Sequence, residues 1–296
     1  KVAVVTGGGS GIGREICKLM GAEGARVVVN DLGTAVDGTG QSSSAADQTV
    51  QMIKSAGGEA TGNYDTVATP EGGQHIIQTA MDTYGKLDIV VHVAGILRDR
   101  MVFNMSIEEW DAVINVHLRG AFCVNRPACT IMRAQKSGVL INFSSISAAG
   151  NSGQANYSAA KLGITALSKS IALDMQKFNV RSNCISPFAW SRMIGSIPTD
   201  TPDQQARVEK LKKLGTEQIA PVAAFLASDA AADVTAQIFA VRGNEIFLMS
   251  QPRPVRGMHT SEGWTPETIA ERVLPAMKPN FFPLESSNIV FSWDPV

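Results

Sequence analysis

Val2-Ala3-Val4-Val5-Thr6-Gly7-Gly8-Gly9-Ser10-Gly11-Ile12-Gly13 opens the chain with a β-branched run that breaks into glycine. An amphipathic stretch from Arg14 to Glu23 follows, Gly24 stands where a helix C-cap belongs, and Arg26 to Asn30 reads as a strand leading to Asp31. Strand, glycine-rich turn, helix and strand make one βαβ unit, whose crossover is nearly always right-handed. The glycines divide the work between a tight turn, a close approach of backbone to a diphosphate and, at Gly13, close packing of helix on strand. By itself such a turn is a weak signal. Its place after a strand, at a helix start and ahead of an acid at the next strand's end makes it a strong one. A carboxylate at Asp31 accepts hydrogen bonds from both hydroxyls of an adenosine ribose and repels a 2′-phosphate. No arginine or lysine follows it closely, which favours NAD over NADP.

The pattern repeats downstream. After a polar, glycine-rich loop (32–46), Asp47 to Ala56 and Gly72 to Tyr84 read as helices, and Ala60 to Tyr64 and Leu87 to Val91 as strands. Wholly apolar strands are expected where a parallel sheet is buried on both faces. Ser106 to Phe122 and Asn125 to Gln135 read as two helices, the first with Ser106 as N-cap and Glu109 at capping-box spacing. Val139 to Phe143 and Val180 to Ile185 are strands five and six, with a helix from Asn156 to Phe178 between them. Phe188 to Leu214 has the polar, turn-rich composition of a lid; Ile219 to Ala227 is a short helix and Gln237 to Val241 a seventh strand. The expected architecture is α/β: a doubly wound parallel sheet of seven strands over residues 1–243, with a C-terminal extension at 244–296.

Bulk properties narrow the function. With 296 residues, 44% hydrophobic and 18% charged, the chain has enough apolar mass for one large core. A net charge of −1 gives no field for a polyanion, so nucleic acid is not an expected partner. Cys17, Cys123, Cys129 and Cys184 are scattered without a C-x-x-C pair, which argues against disulfides or a metal site and fits a reducing, cytoplasmic setting. No apolar run reaches the ~18 residues of a membrane span, and no leader is visible before the first strand.

Chemistry is offered by Ser144-Ser145 at the end of the fifth strand and by Tyr157-Ser158-Ala159-Ala160-Lys161. Residues four apart share a helix face, so Tyr157 and Lys161 project together. An ammonium beside a phenol favours the phenolate, which makes Tyr157 a candidate acid/base. A serine from the neighbouring strand would hold a substrate oxygen against it.

Thr6-Gly7-x-x-x-Gly11-Ile12-Gly13, Tyr157-x-x-x-Lys161 and Asn183-x-x-x-Pro187, in this order, resemble the short-chain dehydrogenase/reductase family over roughly residues 1 to 243. Within it, Val29 to Gly33, Ala94 to Arg100, Val116 to Gly120 and Gly153 to Gly163 are similar to the (3R)-hydroxyacyl-CoA dehydrogenase part of peroxisomal multifunctional enzymes and their bacterial relatives. The resemblance implies a Rossmann fold and NAD(P). It makes Tyr157 the acid/base and Lys161 a ligand of the nicotinamide ribose that lowers the tyrosine pKa. It puts Gly7, Ser10, Gly11, Ile12 and Gly13 on the diphosphate side, Asp31 at the ribose, and Asp65 and Thr66 beside the adenine. Val93, Ala94 and Gly95 line the cofactor, with Pro187 and Ser191 near the nicotinamide amide.

Three departures stand out. His92-Val93-Ala94-Gly95 replaces the usual Asn-Asn-Ala-Gly; His92 reads best as a packed core histidine. His117 occupies the place of a catalytic asparagine thought to act largely through its backbone, so His117 is a candidate on position alone. The catalytic serine is ambiguous: counting back from Tyr157 selects Ser144, while counting along the strand selects Ser145. Strand register is the harder constraint and loops absorb deletions, so Ser145 is preferred.

The expected activity is interconversion of a secondary alcohol and a ketone, with a (3R)-hydroxyacyl-CoA as the substrate class the resemblance implies and a steroid or other bulky cyclic alcohol as the alternative. An inactive NAD-binding regulatory protein is the competing class, opposed by the intact serine, Tyr157 and Lys161. The extension holds an apolar run (Ile246 to Met249), a helix begun by Thr265-Pro266-Glu267 with Ile269, Val273 and Leu274 at core-facing spacing, and Trp264, Phe281, Phe282, Phe291 and Trp293. So many aromatics must be buried somewhere; packing between the subunits of a homodimer or homotetramer is the expectation.

Overall fold

The structure is a computed structural model that describes residues 1–190 and 201–293. Its centre is an eight-stranded sheet in the order β3-β2-β1-β4-β5-β6-β7-β8. Seven strands are parallel: β1 (Val2–Thr6), β2 (Arg26–Asn30), β3 (Glu59–Asn63), β4 (Ile89–His92), β5 (Gly138–Phe143), β6 (Val180–Phe188) and β7 (Ile238–Arg242). The expected count of seven is therefore one short. The eighth, β8 (Glu245–Leu248), turns back antiparallel on β7, with Phe239 opposite Leu248 and Arg242 opposite Glu245. The apolar run that reads as part of the tail is thus a sheet strand, and the chain crosses residue 243 inside a hairpin.

Side chains that alternate along β1 sort to opposite faces, as strand geometry requires. Ala3 and Val5 enter one core with Ile16, Cys17 and Leu226; Val2 and Val4 enter the other with Ile76, Ile77 and Met132. The helices are α1 (Gly11–Ala22), α2 (Ser44–Ser55), α3 (Pro70–Tyr84), α4 (Ile107–Ile114), α5 (Gly120–Gln135), α6 (Ala155–Met175), α7 (Pro202–Leu211) and α8 (Ala220–Ala227); α1, α2, α3, α5, α6 and α8 pack on these faces, and α4 lies against α6. Strand order runs outward from β1 to β3 on one side and from β4 to β8 on the other. The connections diverge between β1 and β4, and a crevice opens there at the strands' carboxyl ends.

Two helices expected over Ser106 to Gln135 are one continuous helical run. Ser106 caps it with the Glu109 capping box in place, and between α4 and α5 lies a π-helical turn, Asn115–Arg119. No break occurs near Asn125, because Pro127 is accommodated inside α5.

In the extension, Thr265 caps Pro266–Thr268, and a π turn (Ile269–Val273) and Leu274–Met277 continue it. Core packing of that stretch on this chain does not occur: Ile269 and Leu274 are 45% and 47% exposed. The tail is pinned further on. Phe247 stands edge-on to both Phe291 and Trp293, those two rings are tilted against each other, and the Trp293 indole donates to Glu245 at 2.7 Å.

Candidate active site

The cleft at the switch point encloses about 380 Å³. Of the residues expected to bind a cofactor, Gly7, Ser10, Gly11, Ile12, Asp31, Asp65, Thr66, Val93, Ala94 and Gly95 line it. Gly13 lies buried beneath. Tyr157, Lys161 and Pro187 stand outside that lining, on α6 and β6. Ser191 falls outside the described residues, as does the middle of the expected lid.

The glycine cradle is built of main chain. Gly7 has φ +68°, and a Cβ on it would come within 2.9 Å of the Ala94 backbone. A Cβ on Gly13 would run into the Gly7 carbonyl, so only glycine lets α1 start this close to β1. Nothing would meet a Cβ on Gly11, which faces the open cleft. Asp31 braces the cradle, its Oδ2 accepting from the Gly9 amide at 2.8 Å and its Oδ1 from the Gly33 amide at 2.7 Å. The Arg14 guanidinium is turned to the Gly9 carbonyl and to Thr49. A bare helix N-terminus, glycines that leave no room for side chains and a carboxylate one strand away fit a dinucleotide.

Sequence reading missed one wall of this cleft: Leu32, Thr34, Ala35, Val36 and Gly38 line it too. The loop they form is clipped to the opposite side, the Leu97 amide donating to the Val36 carbonyl at 2.9 Å and the Arg98 Nε to the Asp37 carbonyl at 2.9 Å. Only the loop's glycine content hinted at this.

Beyond the cleft, β5 delivers the serines and α6 the Tyr-Lys pair. Ser144 Oγ donates to the Lys161 carbonyl at 2.9 Å and is buried at 2% exposure, turned into the helix. Ser145 faces the other way. Its Oγ accepts from the Ser147 amide at 3.1 Å, and its hydroxyl lies against the Tyr157 phenol and acts to lower that pKa. Lys161 Nζ donates to the Phe143 carbonyl at 2.7 Å and sits 5.5 Å from the Tyr157 ring centroid.

Electrostatically the corner departs from the sequence expectation. Burial of its hydroxyl pushes Tyr157 up to about 12, outweighing Ser145, and Asp99 adds to the rise. Burial likewise pulls Lys161 down to about 7. Burial shifts each group toward its neutral form and is the largest cause at both.

The histidines are a matched pair of buried neutral rings. His92, on β4, meets Thr6 Oγ1 through Nδ1 at 3.0 Å; burial lowers it to about 3. Thr6 Oγ1 already accepts from the Val93 and Ala94 amides, so its proton goes to His92, which therefore carries its own on Nε2. His117 is held well below the usual histidine range, first by burial and then by Lys161. Its Nε2 lies 2.8 Å from the Ile96 carbonyl, and its ring stands edge-on to Tyr157 with centroids 5.1 Å apart. The π turn aims it there, and glycine at 95 makes room, since a Cβ would strike the imidazole.

Comparison with known proteins finds relatives along most of the chain. A family model described as enoyl-(acyl carrier protein) reductase matches residues 7–243. The chain is 45% identical over 227 residues to peroxisomal multifunctional enzyme type 2 of Mus musculus, covering 76% of this chain and 29% of that enzyme's length. It is 39% identical over 279 residues to a hydroxyacyl-CoA dehydrogenase of Mycobacterium tuberculosis, covering 91% and 86%. A crystal structure of a short chain dehydrogenase from Mycobacterium avium superposes with TM-score 0.82 at 37% identity, covering 96% of each chain.

Proposed function

The chain belongs to the short-chain dehydrogenase/reductase family, and on that premise we propose that it is an NAD-dependent dehydrogenase interconverting (3R)-hydroxyacyl-CoA and 3-ketoacyl-CoA. Membership makes it an oxidoreductase acting on CH–OH. The observation that carries the mechanism is the divergence of the two serines: Ser144 is consumed by α6, while Ser145 presents its hydroxyl beside Tyr157. In oxidation the substrate O–H proton passes to the Tyr157 oxygen, Ser145 donates to the substrate oxygen, and the carbinol hydrogen leaves with its electron pair. The nicotinamide, when bound, supplies the acceptor for that hydride. Tyr157 as a phenol is the acid that reduction needs, and a bound positive charge nearby would ease its deprotonation for oxidation.

NAD is supported by Asp31 and by the engagement of Arg14 elsewhere, which leaves no cation facing a 2′-phosphate from that helix. The acyl-CoA class is supported by the name of the mycobacterial relative. A homodimer or homotetramer is supported by the apolar surface of the extension, where Phe281, Phe282 and Leu284 are 60%, 85% and 105% exposed.

NADH oxidation measured against a panel of 3-ketoacyl-CoA thioesters and bulky cyclic ketones tests the reading. Turnover of the thioesters with NADH, and little with NADPH, is expected. Turnover confined to the cyclic ketones would overturn the substrate class, and binding without turnover of anything would turn the chain into a nucleotide-binding regulator.

A further inference from the structure

The stretch between Ser145 and Tyr157 is held from outside by the extension. Ser145 caps a 3₁₀ turn, Ile146–Ala149, and the Ser147 amide occupies one lone pair of its Oγ. A hydroxyl offers one proton and two lone pairs, so this bond restricts where the Ser145 proton can point. Ser147 Oγ in turn accepts from Asn151 Nδ2 at 3.0 Å. Asn151 Oδ1 faces away and accepts twice from one residue of the tail, from Ser287 Oγ at 2.8 Å and Ser287 N at 3.1 Å. Ser287 is 1% exposed between neighbours, Leu284 and Ile289, that are 105% and 54% exposed. Ser287 is thus inserted while Leu284 and Ile289 stay outside.

Asn151 also branches. Its Nδ2 lies 3.2 Å from Gln154 Oε1, and Gln154 Nε2 donates at 2.8 Å to Asp99, the carboxyl that raises Tyr157. Both partners of the proposed reaction are thus reached from one amide. The loop turns at Gly150 (φ +106°) and Gly153 (φ +77°), so little in its own backbone stiffens it.

We propose that Asn151 is a positioning residue for Ser145, acting through Ser147 and clamped by Ser287, so that seating the extension sets the turnover of the site. This rests on the reading that Ser145 orients the substrate oxygen. Chemistry is sensitive to displacements of this kind, whereas cofactor binding in the distant cradle is not.

The experiment is a double-mutant cycle on the full chain with NADH and the best ketone of the panel above. Asn151→Ala should lower kcat roughly tenfold and Ser287→Ala several-fold, with NADH affinity unchanged and Ser287→Thr near wild type. In a Ser145→Ala background each substitution should cost much less than in the unmodified chain, the remainder being only what Asn151 passes to Tyr157 through Gln154 and Asp99. Independently of turnover, amide hydrogen exchange over 146–151 should speed up in Ser287→Ala. Additive losses in the Ser145→Ala background, or wild-type kcat and exchange in Ser287→Ala, would overturn the clamp. If Ser145→Ala alone left kcat intact, the mechanism would fail, and the clamp with it, whatever the exchange data showed.

Discussion

The cofactor cradle and the catalytic corner sit at the same end of one sheet and are made of different material. Around Gly7, Gly11 and Gly13 the recognising groups are amides, and side chains matter by being absent; Asp31 is itself spent partly on holding backbone. At Ser145, Tyr157 and Lys161 the working groups are side chains, and burial is the largest influence on the ionisation of the latter two. Main chain cannot be titrated, so a phosphate site built from it is insensitive to pH. A proton-transfer site depends on titratable groups, and here desolvation holds Tyr157 as the phenol and brings Lys161 down to about 7. Lesions in the two regions should therefore differ in kind: binding and fold for the cradle, turnover and pH dependence for the corner.

The sharpest break would come from Tyr157→Phe. It should lose about 10³–10⁴ in kcat while NAD affinity stays within about twofold; stopped-flow hydride transfer and NADH fluorescence titration measure the two. Weakened NAD binding with intact chemistry would erase the division. Next, Ser145→Ala should cost about 10²–10³ in kcat and Ser144→Ala far less, with any effect of Ser144→Ala seen in thermal stability because its hydroxyl ties β5 to α6. The reverse order would restore the count from Tyr157.

A third test concerns pH. His92 has its folded pKa at about 3 against an ordinary 6.5. Between those values the unfolded chain takes up a proton and the folded chain does not, so stability present above pH 6.5 is lost as pH falls. This site alone contributes on the order of 3 kcal/mol to the difference between pH 7 and pH 4. His92→Asn should flatten the acid side of a denaturation-midpoint profile; an unchanged profile would mean the ring is solvated. The smallest effect lies in the cradle: Asp31→Ala should shift the NADH-to-NADPH preference by about 10–100-fold in kcat/KM, roughly 1–3 kcal/mol. Equal use of both cofactors by the unmodified protein would remove the argument.

What could be read from the chain, and what could not, follows the same division. The glycine turn, Asp31, the Ser106–Glu109 cap and Tyr157-x-x-x-Lys161 are local spacings, and local spacing is what a sequence displays. Which serine faces Tyr157 depends on how β5 leaves the sheet: the Ser144 amide continues the ladder to the Ile185 carbonyl at 2.8 Å, and its side chain ends against α6. That argument could be made from strand register, but its partner lies seventeen residues away at Lys161. The pairing of β8 with β7, the loop wall at Leu32 to Gly38 and the reach of Ser287 to Asn151 are contacts between distant segments and leave no periodicity to find. The Tyr157 and Lys161 spacing is legible, but burial, the largest cause of the shift at both groups, is a property of the whole fold.

The antiparallel strand β8 bears on how the protein behaves in bulk. A parallel sheet ending at β7 would present a row of unsatisfied amides and carbonyls to solvent, a template for pairing with another chain. Four residues, Glu245–Leu248, cover that row, and the Met249 amide adds a further bond to the Ile238 carbonyl at 2.9 Å. Cutting the chain after Gly243 would bare β7 along its length and invite aggregation, independently of anything the tail does at the site. A chain ended after Ser250 keeps the cover and loses Ser287. Comparing the solubility of the two truncations separates the strand that guards the edge from the segment that reaches the serine.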